Sequence, residues 1–258
     1  MGNILNPDKD NSFIGLVKAK DCRVFVDKTD FIAKTNALLN TDGKFIAITR
    51  PRRFGKTVTA DMLLAYYSKA YTGQNIFDKL EIANKPSYAE HLNKYNVLYI
   101  DMNSIRDSYI AYTEDEDLQV KGVTSIVDYL QYSVIEELKE NKEYANILSE
   151  SRKVGKKNLS SALNEICNHT KEQFILIMDE WDLICRDYRN EPELLEKFIE
   201  VMRGLFKSKS GQACFALAYL TGILPIKKYN SQSALNVFKE YNMLSPEPYE
   251  KYFGFTEE

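Results

Sequence analysis

Residues 45–57 read Phe-Ile-Ala-Ile-Thr-Arg-Pro-Arg-Arg-Phe-Gly-Lys-Thr, an apolar run followed by a basic, glycine-containing turn. The apolar run from Phe45 to Ile48 predicts a buried strand, and an apolar pattern with helical spacing begins at Thr57. A turn that ends in Gly55-Lys56-Thr57 between a strand and a helix is typical of a phosphate-binding loop. We therefore predict that this stretch binds the phosphates of a nucleotide.

Each chemical role of such a loop has a residue here. Backbone N–H groups wrap the phosphates, the Lys56 ammonium reaches the terminal ones, and the Thr57 hydroxyl ligates magnesium. The loop departs from the usual G-x-x-x-x-G-K-[ST] pattern because Arg50 replaces the first glycine. By itself the Gly-Lys-Thr tripeptide also fits an ordinary surface turn. The residues predicted to contact the nucleotide are Arg52, Arg53, Phe54, Gly55, Lys56, Thr57 and Val58.

A second motif lies far along the chain. The apolar run Phe174 to Met178 predicts a strand buried on both faces, and Asp179-Glu180 follows it directly. This is the Walker B pattern, in which the aspartate holds magnesium and the glutamate polarises the attacking water. A buried strand can also simply end in carboxylates at a solvated loop. The two motifs in this order nevertheless predict a nucleoside triphosphatase site.

Three further polar residues are candidates for the same site. The strand predicted from Cys214 to Leu220 ends at Thr221, where P-loop ATPases of the additional-strand type place a polar sensor. The alternative is an ordinary threonine at the end of a strand. An arginine near the terminal phosphate can stabilise transition-state charge, and we assign this role to Arg53. Either Arg52 or Arg53 could instead pair with a carboxylate such as Asp182.

Composition limits the class of protein. The 258 residues are 44% hydrophobic and 28% charged, which is ordinary for one globular domain. The formal net charge of −3 argues against direct binding of nucleic acid. Local basic groups occur on the phosphate loop, where we expect them to serve the nucleotide, and around Gly155, where we expect a solvated loop.

Cysteine usage and hydropathy indicate a soluble cytoplasmic protein. The cysteines have no C-x-x-C spacing, only two histidines could join them, and we therefore predict no zinc site and reduced thiols. No window approaches the about 20 apolar residues that span a bilayer, so no membrane association is expected. The four cysteines are Cys22, Cys167, Cys185 and Cys214, and the histidines are His91 and His169.

Strand and helix patterns alternate along the chain. This predicts an α/β fold in which helices flank a mostly parallel five-stranded sheet and the ligand lies at the carboxyl ends of the strands. Further strands are predicted at Arg23–Val26, Val97–Met102 and Val237–Leu244, and residues 72–95 are predicted to be irregular. Further helices are predicted from Asp27-Lys28-Thr29 through Leu39, across Ile126 to Leu138, across Leu159 to Ile166, and from Glu191 to Lys207.

At this point the sequence resembles a known family. The run Arg50-Pro-Arg-Arg-Phe-Gly-Lys-Thr57 is the most specific element, and the segments listed below accompany it. Together they resemble the bacterial AAA-ATPase-like family. In that family the phosphate loop itself lacks the first glycine, so the resemblance accounts for Arg50 at this position. The accompanying segments are Phe25-Val-Asp-Lys-Thr29, Asp179-Glu-Trp-Asp182, Leu220-Thr-Gly222 and Phe253-Gly-Phe-Thr-Glu-Glu258.

The resemblance implies an AAA-related or STAND-like domain that binds ATP and Mg²⁺. It assigns phosphate and metal binding to Gly55, Lys56, Thr57 and Asp179, and water activation to Glu180. ATP is preferred to GTP by this resemblance and because no guanine-specific N/T-K-x-D pattern is present. Asp27 and Lys28 belong to the family's upstream signature and either shape the edge of the nucleotide pocket or cap a helix.

Longer relatives carry a second domain that resembles PD-(D/E)XK nucleases. We expect residues 1–258 to form a single ATPase-like domain without that nuclease-like part or a C-terminal lid. Three functions are open at this stage: a magnesium-dependent ATPase that drives a conformational change, a slow or non-hydrolysing ATP switch, and a module that serves a nuclease-like or defence-type partner. The sequence leaves the oligomeric state open.

Overall fold

A computed structural model describes residues 4–7, 11–19, 25–150, 158–226, 235–245 and 247–254. Several sequence predictions lie outside these ranges. They are Cys22, the first two positions of the strand predicted at 23–26, the basic cluster at 152–157, and the closing residues 255–258.

Within the described residues, five strands form one sheet in the order β2-β3-β4-β1-β5. Every neighbouring pair is parallel, which confirms the predicted α/β fold with a parallel five-stranded sheet. Strand β1 therefore lies between β4 and β5, and β3, which ends at Asp179, is separated from β1 by β4. The strands are β1 (Phe45–Thr49), β2 (Asn96–Asp101), β3 (Phe174–Asp179), β4 (Phe215–Gly222) and β5 (Lys239–Tyr241).

Helices pack on both faces of this sheet. Their bounds are α1 (Ser12–Lys18), α2 (Asp30–Asn36), α3 (Lys56–Tyr67), α4 (Tyr88–His91), α5 (Met102–Glu114), α6 (Ile126–Glu140), α7 (Lys142–Glu150), α8 (Leu159–Thr170), α9 (Leu183–Asp187), α10 (Pro192–Phe206) and α11 (Lys209–Ala213). Short 3-10 turns occur at Lys69–Tyr71, Glu81–Asn84, Glu116–Leu118 and Glu250–Tyr252.

The sheet separates two apolar cores. Side chains alternate along each strand, so that Leu176 of β3 packs with α6, α8 and α10, whereas Ile175 and Ile177 pack with α2 and α3. Every residue of β1, β3 and β4 is buried. This two-sided burial explains why these strands are continuous apolar runs in the sequence.

Some local predictions were wrong or incomplete. Phe25 and Val26 form no strand, and residues 72–95 are largely irregular as predicted but also contain α4 and the 3-10 turn at Glu81–Asn84. Helices α1, α5, α7, α9 and α11 were not predicted. In α5 only Met102, Ile105 and Tyr112 are buried, so its apolar stripe is too sparse to read from the sequence.

Candidate functional site

The turn between β1 and α3 forms a concave loop at the carboxyl edge of the sheet. Gly55 precedes the first turn of α3 with a φ of 75°, a conformation that glycine adopts without steric cost. Lys56 is buried, and its Nζ donates to the carbonyl of Pro51 at 3.1 Å, so the side chain folds back over the loop. The ammonium and the positive end of α3 therefore face the same space.

The second motif meets this loop. Thr57 Oγ1 donates to Asp179 Oδ2 at 2.6 Å, and Lys56 Nζ lies 3.7 Å from Glu180 Oε1. Asp179 also accepts from the Glu180 backbone N–H at 3.0 Å. The fold thus brings together four predicted site residues from two segments more than a hundred positions apart.

Asp179 has an unusual protonation equilibrium. Burial raises the pKa of its carboxyl to about 6, and the nearby carboxylates of Asp101 and Glu180 act in the same direction. The hydrogen bond from Thr57 and the charge of Lys56 oppose this shift. Asp101 is opposite Asp179 in the β2–β3 register, and it caps α5 by accepting from the Asn103 N–H at 3.0 Å.

Glu180 is held by a cation that the sequence reasoning missed. Its backbone has a φ of 54°, and its Oε2 lies 2.8 Å from Nη2 of Arg186 on α9. Arg186 Nε lies 3.6 Å from Asp182 Oδ2, so one guanidinium faces two carboxylates. The only sequence signal was the four-residue spacing from Asp182 to Arg186 on a short helix.

Asp182 fixes the end of β4 next to this pair. It is fully buried, and its Oδ2 accepts from the backbone N–H groups of Ile223 at 3.2 Å and Leu224 at 2.8 Å. Burial raises the pKa of Asp182, while Arg186 and these N–H groups oppose the shift. A Cβ on Gly222 would lie 2.6 Å from Asp182 Oδ1, so only glycine allows this close approach.

Thr221, the predicted sensor, lies at the end of β4 beside Ile48 of β1. Its side chain is fully buried, and within the part of the chain that the structure describes its Oγ1 has no hydrogen-bond partner. The same holds for Nε1 of Trp181. A buried polar group without a partner is costly, so each of these atoms is a candidate contact for a ligand or a water.

The three arginines of the loop have different environments. Arg50 is buried, donates from Nη1 to the carbonyls of Thr49 and Tyr241 at 2.9 Å each, and lies over the ring of Phe253. Arg50 thus joins β1 to β5 and to the C-terminal segment. The expectation that the basic groups of this loop serve the nucleotide stays a prediction. Arg52 and Arg53 are exposed, and Asp182 forms its ion pair with Arg186.

A cavity of about 180 Å³ opens beside the phosphate loop. Its walls include Phe13, Phe25, Met62 and Tyr252, and the loop contributes Arg53, Phe54, Gly55 and Val58. Phe13 and Tyr252 were not predicted, because their approach depends on the tertiary packing of both ends of the chain.

The two residues of the upstream signature take different roles beside this cavity. Lys28 borders it and donates to the carbonyl of Gly254. Asp27 instead accepts from the Thr29 N–H at 2.9 Å and from the Glu81 N–H at 2.7 Å. Asp27 thus bonds to the N–H of Thr29, the residue before α2, although α2 has no side-chain cap hydrogen bond. A role for either residue in nucleotide binding stays a prediction.

The described residues contain no group of three His, Cys, Asp or Glu side chains that could hold a metal ion. Cys167, Cys185 and Cys214 are free thiols. In the same ranges no helix combines the length and the apolar character needed to cross a membrane.

Comparison with known proteins identifies the family. A search of curated proteins finds no match to the chain. The profile of the AAA-ATPase-like family, described as "Predicted AAA-ATPase", matches residues 13–231, which include the phosphate loop, the Asp179-Glu180 pair and Thr221. This range covers most of the chain and supports an ATP-binding domain. The chain belongs to the AAA-ATPase-like family.

Proposed function

We propose that this protein is a magnesium-dependent ATPase whose cycle drives a conformational change. The observation that carries the proposal is the hydrogen bond of 2.6 Å between Thr57 and Asp179. It joins a phosphate-binding loop to the carboxylate pair at the end of β3. Fold and family alone would support only the binding of ATP.

Phosphate binding falls to the loop and to α3. The Lys56 ammonium is close to Glu180 and can exchange this carboxylate for the terminal phosphates of ATP. The first N–H groups of α3 add donors and the positive end of the helix dipole. Arg53, exposed on the same loop, is our candidate for a further phosphate contact.

The donor set beside the loop fits magnesium. Thr57 is exposed and shares a hydrogen bond with Asp179, so an oxygen pair of the kind that Mg²⁺ prefers is already formed. Bound there by Thr57 and Asp179 together with substrate phosphates, Mg²⁺ would neutralise charge on the phosphates. Because it needs substrate oxygens, such a site requires no cluster of three protein carboxylates.

Glu180 is the proposed base. Its Oε1 faces Lys56 and the phosphate loop, whereas its Oε2 is engaged by Arg186. Once Lys56 turns to the phosphates, Oε1 can accept the proton of the attacking water. Thr221, with its unpartnered hydroxyl at the neighbouring strand end, is the proposed sensor of the terminal phosphate.

The apolar cavity is the proposed place of the nucleobase. It adjoins the loop and offers the rings of Phe13, Phe25 and Tyr252, which suit an aromatic ligand. The Gly254 N–H donates to the carbonyl of Phe54 at 3.3 Å. A movement of the loop would therefore reach the C-terminal segment, which supports the proposed conformational coupling.

A second function is favoured by one observation. Both carboxylate oxygens of Glu180 face cations, so while both contacts persist neither oxygen is placed to bind an attacking water. A protein that keeps this arrangement with ATP bound would be a slow or non-hydrolysing switch. Such a switch could regulate a nuclease-like or defence-type partner.

Calorimetry with ATP and magnesium, alongside phosphate release, separates the two functions. In Lys56→Ala we expect ATP affinity to fall by about 10–100-fold, since a hydrogen bond to a charged group contributes about 1.5–3 kcal/mol. In Glu180→Gln we expect binding to survive and turnover to fall by about 10²–10⁴-fold. Lys79→Ala and Glu200→Gln, at exposed positions, are matched controls.

Each outcome supports one of the two functions or contradicts both. Binding without turnover in the parent chain would favour the switch, and no binding at all would refute the ATP site. Removal of magnesium with a chelator should abolish phosphate release in the parent, whereas undiminished release would contradict the assigned role of Thr57 and Asp179.

A further inference from the structure

Arg186, on α9, forms an ion pair with the proposed catalytic residue Glu180. Its Nη2 lies 2.8 Å from Glu180 Oε2, and its side chain is only 17% exposed. Its Nε lies 3.6 Å from Asp182, which is in turn fixed by the backbone of Ile223 and Leu224. The guanidinium is thus linked through Asp182 to the segment that follows β4, and it extends toward Glu180.

The two oxygens of Glu180 have unlike partners. Lys56, opposite Oε1, belongs to the phosphate loop and is expected to turn to ATP when the nucleotide binds. Arg186, opposite Oε2, lies outside that loop and has Asp182 as a second, fully buried counter-charge. Substrate binding therefore frees only Oε1, while Oε2 stays paired.

We propose that Arg186 is a positioning residue for hydrolysis, which holds Glu180 Oε2 so that Oε1 faces the water that attacks ATP. The inference rests on the proposed ATPase function and adds to it a residue outside both sequence motifs. Without this contact the Glu180 side chain rotates about its own bonds, and a misplacement of about 1 Å at a catalytic group can lower a rate by about 10²-fold.

The test compares Arg186→Gln and Arg186→Lys with the parent, by single-turnover and steady-state phosphate release and by calorimetry with ATP. We expect Arg186→Gln to lower kcat by about 10–100-fold, with the KM and the ATP affinity within about twofold of the parent. Arg186→Lys restores the charge but not the planar fork, so its kcat should lie between the two. Arg189→Gln, on the exposed turn after α9, is the matched control.

A double variant separates positioning from a structural effect. If Arg186 acts through Glu180, adding Arg186→Gln to Glu180→Gln should lower the single-turnover rate no further. A further loss in the double variant would overturn the proposal, as would a KM change at constant kcat. So would a kcat of Arg186→Gln at or above that of the parent, which would make Arg186 an inhibitory clamp.

Two other failures remain distinguishable. If Arg186→Gln does not fold, as judged by its thermal unfolding, an Arg186→Lys kcat equal to the parent's overturns the inference. If the parent binds ATP but releases no phosphate, the proposed hydrolysis fails and this inference fails with it. If the parent is active and only the Arg186 effects are absent, the proposed function stands and the inference alone is wrong.

Discussion

The two ends of α3 solve the problem of buried polar groups in opposite ways. At the C-terminal end, Tyr67 Oη donates to Asn36 Oδ1 at 2.8 Å and lies 2.7 Å from Thr35 Oγ1, while Tyr66 Oη donates to the carbonyl of Tyr88. At the N-terminal end the groups are charged, and Lys56 faces Glu180 at 3.7 Å. Neutral, mutually bonded groups stabilise the fold, whereas the charged end carries the costs of burial that ligand binding can relieve.

The largest expected effect comes from disrupting the neutral hydrogen-bond network at the C-terminal end of α3. Asn36→Ala removes hydrogen bonds to both tyrosines and leaves a small cavity, so we expect the free energy of unfolding to fall by about 3 kcal/mol. Urea unfolding measures this loss. ATP affinity should be unchanged, because the network lies at the far end of α3 from the phosphate loop.

Asn84→Ala, at an exposed position, is the matched control and should change stability by no more than about 0.5 kcal/mol. A loss of ATP binding in Asn36→Ala without a loss of stability would show that the two ends are not separate in function.

The second prediction concerns the charged end of α3 and the pH dependence of stability that Asp179 causes there. The pKa of Asp179 is about 6 in the folded protein against an ordinary value of 3.8, so the folded state binds the extra proton between these values. Its contribution to the free energy of unfolding therefore falls as the pH rises from about 4 to about 6, by about 2 kcal/mol. Asp179→Asn removes this loss.

Without nucleotide, Asp179→Asn should thus be more stable than the parent at neutral pH, and the advantage should shrink toward about pH 4. Urea unfolding of both proteins across this range gives the difference. A stability difference that does not change with pH would show that burial of the Asp179 charge carries no such cost.

The smallest expected effect comes from the same substitution, Thr to Val, made near each end of α3. Thr35 Oγ1 donates to the Ile32 carbonyl at 3.0 Å and contacts Tyr67, so Thr35→Val should destabilise the fold by about 1–2 kcal/mol. Thr221 Oγ1 has no partner among the described residues, so Thr221→Val should stabilise it by about 0.5–1 kcal/mol. Thermal unfolding compares the two, and equal signs would contradict the comparison.

Sequence patterns predicted much of the fold because most of its strands and helices have a clear apolar pattern within their own residues. β1, β3 and β4 are apolar runs, and α6, α8 and α10 show helical spacing, so these elements could be found from their neighbours alone. Helix α5 was missed because its buried residues are few, and the predicted strand at Phe25 was wrong because an apolar pair does not by itself find a strand partner.

Site prediction divides in the same way. The sequence alone led to the prediction of a phosphate-binding loop and of the Asp179-Glu180 pair, because each motif consists of a strand and the residues directly after it. Three features became visible only in the tertiary structure: the burial of Arg50 against β5, the cavity shared by Phe13 and Tyr252, and the ion pair of Arg186 with Glu180. These contacts join segments far apart or side chains aimed by the backbone, and their free energy comes from packing that no local pattern encodes.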